Sequence, residues 1–95
     1  MTYKVVFKRQ ALKEFQKLPA IISNQFLDKL KEHQQNPHIP SARLHGMKDC
    51  YKIKLQSLGY RLVYQVIDQQ IVIEVIAVGK RNRNEVYRRA QARLS

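Results

Sequence analysis

The sequence is poor in cysteine, in acidic residues and in long apolar runs. Its one cysteine, Cys50, cannot form an internal disulfide, and with only three scattered histidines it is too little for a structural zinc site. No apolar run approaches the roughly 18 residues of a membrane span. Met1–Lys4 leads into no apolar segment typical of a secretory signal. We therefore expect no bound metal, no membrane association and a reducing, cytoplasmic environment.

The shortage of acidic residues leaves a large positive charge. Seven Asp and Glu stand against 18 Lys and Arg, for a net charge of +11 on 95 residues. The hydrophobic content of 44% is that of a globular protein, and the length predicts a single domain over residues 1–95. Such a charge indicates an anionic partner, most simply nucleic acid. A solvated basic surface, or docking on an acidic protein, remains an alternative.

The positive charge is unevenly distributed. Residues 1–42 and 43–61 each carry +4, residues 62–79 carry −2, and residues 80–95 carry +5. If the acidic segment is a core strand, the two basic regions around it can meet in space.

Two apolar helical patterns follow an alternating strand at Tyr3–Lys8. They lie on the two sides of Pro19 and comprise Leu12, Phe15 and Leu18, then Ile22, Phe26 and Leu30 joined by Ile21 and Leu27. Because proline is favoured at the start of a helix, the pattern predicts an amphipathic helical hairpin packed on a sheet. The charges of this hairpin form its solvated face; they are Lys13, Lys17, Lys29 and Lys31.

Three strand patterns follow a proline-containing loop, and a last helix closes the chain. The strands are Cys50–Leu55, Tyr60–Val66 and Ile71–Val78, and the helix carries Val86, Ala90 and Leu94. The third strand is apolar on both faces apart from Glu74, which indicates a central position. The order β-α-α-β-β-β-α predicts an α+β single domain with a mainly antiparallel four-stranded sheet, an N-terminal helical hairpin and a C-terminal helix.

The pairing of the first two of these three strands predicts a cluster of cations. If residues 57 and 58 form a two-residue loop, Lys54 lies opposite Arg61, and Lys52 lies nearby on the same face. Like charges across a strand pair are destabilising, so the cluster indicates either an anion site or a plainly solvent-facing sheet. Tyr87, in the basic tail, is either a core aromatic or an exposed group for stacking or proton transfer.

The sequence contains no motif for metal-dependent hydrolysis, no glycine-rich nucleotide loop and no catalytic triad. His33, His38 and His45 show no spacing of a catalytic pair, so we interpret them as structural or surface residues. Metal-free RNA cleavage stays open, because the 2′-OH of RNA is its own nucleophile and cations can stabilise the phosphate charge.

Three stretches in order carry a family resemblance. They are Gly46–Leu55, Gly59–Asp68, and Val78–Arg81 followed by Glu85–Tyr87. Together they resemble the RelE toxins of the RelBE type II toxin–antitoxin systems, in the RelE/ParE superfamily. The resemblance implies a fold related to microbial ribonucleases but without their usual His and Glu catalysts.

The resemblance also implies an activity, which is cleavage of messenger RNA in the ribosomal A site by attack of the 2′-OH, without a cofactor. In that activity Lys52, Lys54 and Arg61 would bind the scissile phosphate, with Lys52 or Lys54 assisting proton transfer. Arg81 would stabilise charge and serve as the acid, and Tyr87 would orient or deprotonate the 2′-OH and stack on a base. Other cations would dock on the ribosome and its 16S rRNA: Lys13, Lys48, Lys80, Arg83, Arg88 and Arg89.

The partner implied by the resemblance is a RelB-like antitoxin, with operator DNA bound only by the toxin–antitoxin complex and read by the antitoxin. The last helix, residues 84–95, has few apolar positions, so we expect a competing antitoxin helix to displace it. Two alternatives remain open: a ParE-like gyrase inhibitor on the same fold, and a non-catalytic nucleic-acid-binding module.

Overall fold

The secondary structure follows the order that the sequence predicts. The structure is a computed structural model that describes residues 2–55, 59–80 and 84–94. The strands are β1 (Lys4–Phe7), β2 (Cys50–Leu55), β3 (Tyr60–Ile67) and β4 (Val72–Lys80), and the helices are α1 (Arg9–Gln16), α2 (Ala20–His33) and α3 (Glu85–Leu94). The predicted third strand pattern began at Ile71, but β4 begins one residue later because Ile71 has a left-handed backbone with φ of 55°.

The four strands form one sheet in the order β1-β4-β3-β2. β1 runs parallel to β4, and the other two pairings are antiparallel, which confirms the mainly antiparallel sheet and the central place of β4. The ladder between β3 and β4 is shifted near Val63, which pairs with Ala77 while Tyr64 pairs with Val75. Ile76 is therefore an extra residue, and such a bulge bends and twists its strand.

Apolar side chains cover both faces of the sheet. On one face α1 and α2 pack over the larger core, which includes the buried residues Ala11, Ile22, Phe26, Leu30 and Tyr64. On the other face α3 covers a smaller cluster, which includes Cys50, Val63, Ile76, Val86 and Ala90. Because helices pack on both faces of the sheet, β4 is apolar on both faces.

The apolar stripes of the hairpin are only partly as predicted. The positions Ile22, Phe26 and Leu30 are buried, but three predicted members of the stripes are exposed: Leu12 at 40%, Ile21 at 66% and Leu27 at 40%. In α1 the fully buried position is Ala11, which precedes Phe15 by one turn. The small Ala11 side chain lets the helix lie close to the sheet, so Ala11 takes the core position predicted for Leu12, while the predicted Phe15 and Leu18 do pack against the core.

Beyond the end of β1, side chains form hydrogen bonds with the backbone of β4 where a neighbouring strand would otherwise pair. The Glu14 carboxylate accepts a hydrogen bond from the Val78 backbone N–H at 3.1 Å. Arg93 donates to the Ile76 carbonyl at 2.8 Å, and Arg89 donates to the Val78 carbonyl at 3.2 Å. Because Glu14 lies in α1 and both arginines lie in α3, these bonds fix α3, and with it Tyr87, against the sheet.

Candidate active site

The cationic cluster is built on the β2–β3 ladder in the predicted register. Lys54 is the cross-strand partner of Arg61, and Lys52 is the partner of Val63. Paired residues point to the same face, which here is the face that α3 covers. Residues 57 and 58, predicted as the loop, lie outside the described part of the chain. The ladder thus brings three cations of two strands onto one patch of the sheet.

Arg61 is the most buried member of this cluster, with only 7% of its surface exposed. Its guanidinium donates to the Tyr60 carbonyl at 3.2 Å. Lys52 is half-buried and Lys54 is exposed. Since a desolvated guanidinium attracts an anion more strongly than a solvated one, Arg61 marks the base of an anion site with the lysines above it.

The first turn of α3 closes this patch into a cleft. The cleft has a volume of about 240 Å³ and is lined by Lys52, Lys54, Arg61, Asn84, Glu85, Val86 and Tyr87. Val86 is buried in the smaller cluster, and the Tyr87 ring is half-buried against the same cluster. Tyr87 is therefore neither a pure core residue nor a freely exposed one: its ring is held by packing while the side chain borders the cations.

Two further cleft residues, Asn84 and Glu85, were not predicted as site residues. Asn84 has a left-handed backbone with φ of 63°, a conformation that asparagine tolerates better than most residues. Glu85 is the acidic member of the lining, so cations outnumber carboxylates around the cleft. Their position two and three residues before Tyr87 in the sequence is the signal that could have found them.

Two predicted arginines lie outside the described residues. Arg81, predicted as the acid, and Arg83, predicted for docking, fall in the segment between β4 and α3. The described chain approaches the cleft at Gly79, which is the register partner of Arg61. Arg81 follows Gly79 by two residues in the sequence.

The other predicted docking cations are spread over the surface. Lys13 and Arg88 are exposed, and Lys48 lies beside the far end of α3 with Gln65 and Leu94. Lys80 pairs with Tyr60 on the sheet face opposite the cleft, where its ammonium lies 5.8 Å from the ring centre of Tyr60.

Arg89 is directed inward rather than to solvent. Besides the Val78 carbonyl it contacts the Glu14 carboxylate, with Nε 3.5 Å from Oε2. Nε makes no hydrogen bond of good geometry. These contacts make Arg89 mainly an anchor of α3.

The histidines take structural or surface positions, as predicted, and none of them lines the cationic cleft. Tyr64 donates its hydroxyl proton to the Pro37 carbonyl at 2.8 Å, so His33 Nδ1, 2.7 Å from that hydroxyl, is its donor. Burial lowers the pKa of His33. His38 bridges the Tyr51 hydroxyl and the Asp68 carboxylate, and His45 is exposed.

The described residues contain neither a group of potential metal ligands nor a helix that could span a membrane. Over residues 2–55, 59–80 and 84–94, no three His, Cys, Asp or Glu side chains are grouped so that they could hold a metal ion. In the same part of the chain, no helix is long and apolar enough to cross a membrane.

Residues 5–85 match the family model of the ParE toxin of the parDE type II toxin–antitoxin system. Over 94 residues, and 99% of both chains, the sequence is 60% identical to a RelE-like toxin protein of Escherichia coli. Over the same length and coverage it is 52% identical to the mRNA interferase toxin RelE of E. coli strain K12.

Solved structures of RelE proteins also superpose on this chain. A double arginine-to-alanine variant of E. coli RelE in the free state superposes with a TM-score of 0.93 at 49% identity, covering all of both chains. A chain of the intact E. coli RelBE toxin–antitoxin complex superposes with a TM-score of 0.82 at 52% identity, covering 85% of this chain and 99% of that one. The family model names a toxin of the type II toxin–antitoxin systems, and the relatives that match over the full length are named RelE or RelE-like toxins. The chain belongs to the RelE toxins of the type II toxin–antitoxin systems.

Proposed function

We propose that this chain is a ribosome-dependent endoribonuclease that cleaves messenger RNA in the ribosomal A site and so inhibits translation. The observation that carries the proposal is the meeting of Tyr87 with Lys52, Lys54 and Arg61 in one cleft. The name of the E. coli relative, mRNA interferase toxin RelE, supports the same activity. The site of action is the cytoplasm, where ribosomes translate.

The proposed reaction is an internal transfer at one phosphate. The 2′-OH loses its proton, the 2′-oxygen bonds to phosphorus, and the bond from phosphorus to the 5′-oxygen breaks. The 5′-oxygen takes up a proton, which leaves a 2′,3′-cyclic phosphate and a 5′-OH. Lys52, Lys54 and Arg61 stabilise the charge that develops on the phosphate oxygens, so the reaction requires no metal ion.

Proton transfer in this proposal falls to groups at the edge of the cleft. Tyr87 or one of the two lysines receives the proton of the 2′-OH, and Arg81 assists the departing 5′-oxygen. No histidine lines the cleft, and tyrosine and lysine as free side chains are poor bases at neutral pH. Positioning of the message by the ribosome supplies the alignment that the reaction needs. The exposed cations Lys13, Lys48 and Lys80, with Arg83, dock on ribosomal RNA.

A RelB-like antitoxin neutralises the toxin by displacing α3. Only Val86 and Ala90 of this helix are fully buried, so a competing antitoxin helix with a longer apolar stripe can take its place. Displacement separates Tyr87 from the cations. The complex represses its operon by binding operator DNA through the antitoxin. Hydrogen exchange tests this step, because residues 84–94 must lose protection when antitoxin binds; unchanged protection contradicts it.

The experiment adds purified protein to translating ribosomes and maps the new 5′ ends of the message. We expect cuts in register with codons, lost in Arg61→Ala and in Arg81→Ala. Lys29→Ala, which removes a positive charge from the exposed face of α2, is the matched control and keeps full cutting. Intact message together with gyrase-trapped DNA breaks establishes the ParE-like alternative instead. Binding of RNA without either effect leaves a non-catalytic module.

A further inference from the structure

A second cleft adjoins the cationic one and shares two residues with it. It has a volume of about 450 Å³, within the range of about 300–1,000 Å³ for small-molecule sites. Its lining comprises Leu44, His45, Met47, Asn84, Tyr87, Arg88 and Gln91. Asn84 and Tyr87 also line the cationic cleft, so a ligand that passes Tyr87 can occupy both.

The apolar part of this second cleft is held in place by the smaller core. Leu44, Met47 and Tyr87 are each partly buried against the cluster around Val63 and Ile76. Each therefore presents one exposed side on a packed base. An aromatic ring beside two aliphatic side chains makes a surface on which a flat, weakly polar group can stack.

The loop that supplies Leu44 and Met47 is fixed by backbone hydrogen bonds. Leu44 N–H donates to the Cys50 carbonyl at 2.9 Å, and Cys50 N–H donates to the Met47 carbonyl at 3.4 Å. Arg43 forms an isolated bridge with Tyr51. Gly46 allows the tight turn through its positive φ of 81°. Because the loop is already closed on β2, little ordering is needed when a ligand binds.

Among the described residues, the rest of the lining is polar and includes no carboxylate. His45, Asn84 and Gln91 offer both donors and acceptors, and Arg88 adds a cation. This combination of a stacking surface with mixed hydrogen-bonding groups matches the face and the edge of a nucleobase. With the positive charge of Arg88 and no carboxylate in it, this lining attracts rather than repels the phosphates of a bound RNA.

We propose that the second cleft binds one unstacked nucleobase next to the scissile phosphate and that His45, Arg88 and Gln91 set the base preference of cutting. The proposal rests on the function proposed above, which places the phosphate on the other side of Tyr87. The two clefts meet at Tyr87, so a phosphate in one and an adjacent base in the other belong to the same short stretch of RNA.

Binding can be tested without cleavage. The probe is a trinucleotide with 2′-O-methyl riboses, which cannot attack the phosphate. The readout is the methyl signal of Met47, one of two methionines in the chain. We expect this signal to move with the full trinucleotide. It should stay in place with a trinucleotide of the same charge that lacks the flanking bases. Equal shifts with both, or no shift with either, overturn the proposed base site.

Base preference is tested on ribosomes by sequencing the cut sites of His45→Ala, Arg88→Ala and Gln91→Ala. We expect the preference at one flanking position to change by about fivefold or more, as loss of base contacts predicts. Arg9→Ala and Gln10→Ala are matched controls on the exposed side of α1. A uniform loss of cutting with unchanged preference overturns the proposal and assigns these residues to ribosome docking. Base-dependent Met47 shifts without any cutting would instead refute the proposed function and leave the base site standing.

Discussion

The Arg93 guanidinium forms a bidentate ion pair with the Glu14 carboxylate, with nitrogen–oxygen distances of 2.8 and 2.9 Å. The two residues are 79 positions apart and join the first helix to the last. Both side chains are largely shielded from solvent, at 15% and 21% exposure. Burial alone would raise the pKa of Glu14, but hydrogen bonds from Arg93 and the Val78 N–H hold the pKa of this carboxyl below its ordinary value.

Replacing the Glu14 carboxylate with an amide should destabilise the fold. Glu14→Gln leaves Arg93 without its counter-charge and weakens the bond to the Val78 N–H, for an expected loss of about 2 kcal/mol in the free energy of unfolding. Urea unfolding measures this loss at pH 7. Glu32→Gln, at an exposed position of α2, is the matched control and should change stability little. Equal effects of the two substitutions would refute an anchoring role for Glu14.

Stability should fall as the pH is lowered, in two windows. His33 has a lowered pKa, so below about pH 6.5 the unfolded chain takes up a proton more readily and stability decreases. Glu14 also has a lowered pKa, so its contribution is complete above about pH 4.5 and is lost as the pH falls through its folded value.

The slope of unfolding free energy against pH separates these two groups. His33→Gln should flatten the slope just below pH 6.5, and Glu14→Gln should flatten it below pH 4.5. The assignment fails if His33→Gln leaves the upper window unchanged.

Cys50 should react slowly with alkylating reagents while the protein is folded. The thiol is fully buried in the cluster covered by α3, and burial raises its pKa to about 11, so little thiolate forms at neutral pH. Labelling with iodoacetamide at pH 7.4 should therefore wait for α3 to open. It should be faster in Glu14→Gln, and the chain in urea gives the unprotected rate. Fast labelling of the folded chain would show that α3 does not protect the thiol.

Removing the hydroxyl of Tyr87 separates proton transfer from stacking. Tyr87→Phe keeps the half-buried ring, so RNA binding should change less than threefold, whereas a group that moves a proton is typically worth about 100-fold in rate. Single-turnover cleavage on ribosomes measures the rate. Tyr60→Phe, on the opposite sheet face, is the matched control. Unchanged cleavage in Tyr87→Phe would leave one of the lysines as the base.

Much of the fold follows from local patterns in the sequence. The alternation in β2 and β3 predicts which side chains share a face, and a two-residue loop at residues 57 and 58 sets the register, so the pairing of Lys54 with Arg61 could be predicted. Apolar spacing could not show which side of a helix meets the sheet, because neighbouring positions such as Ala11 and Leu12 are both apolar. The prediction therefore placed Leu12 in the core instead of Ala11, whereas Phe15 and Leu18 were placed correctly.

The rest of the site depends on contacts between residues that are distant in sequence. Nothing near Arg89 indicates that its side chain turns to Glu14 and Val78, so its predicted role in RNA docking could not be told from an anchoring role. The second cleft likewise needs the 43–48 loop and α3 to meet, and single-sequence patterns do not report such meetings. The bulge at Ile76 shifts the alternation of side chains along β4 by one residue. In a strand that is apolar on both faces, this shift leaves no distinct sequence signal.

The side chains that complete the β4 edge also protect the molecule from association. A strand edge with unpaired N–H and C=O groups is a template for a strand of another chain. Beyond the end of β1, Glu14 and Arg93 occupy the positions at Val78 and Ile76 where such a strand would bond. Charged side chains there make strand addition costly. Loss of Glu14 would thus leave the Val78 N–H open to a strand of another chain, and the resulting defect would be aggregation as well as lower stability.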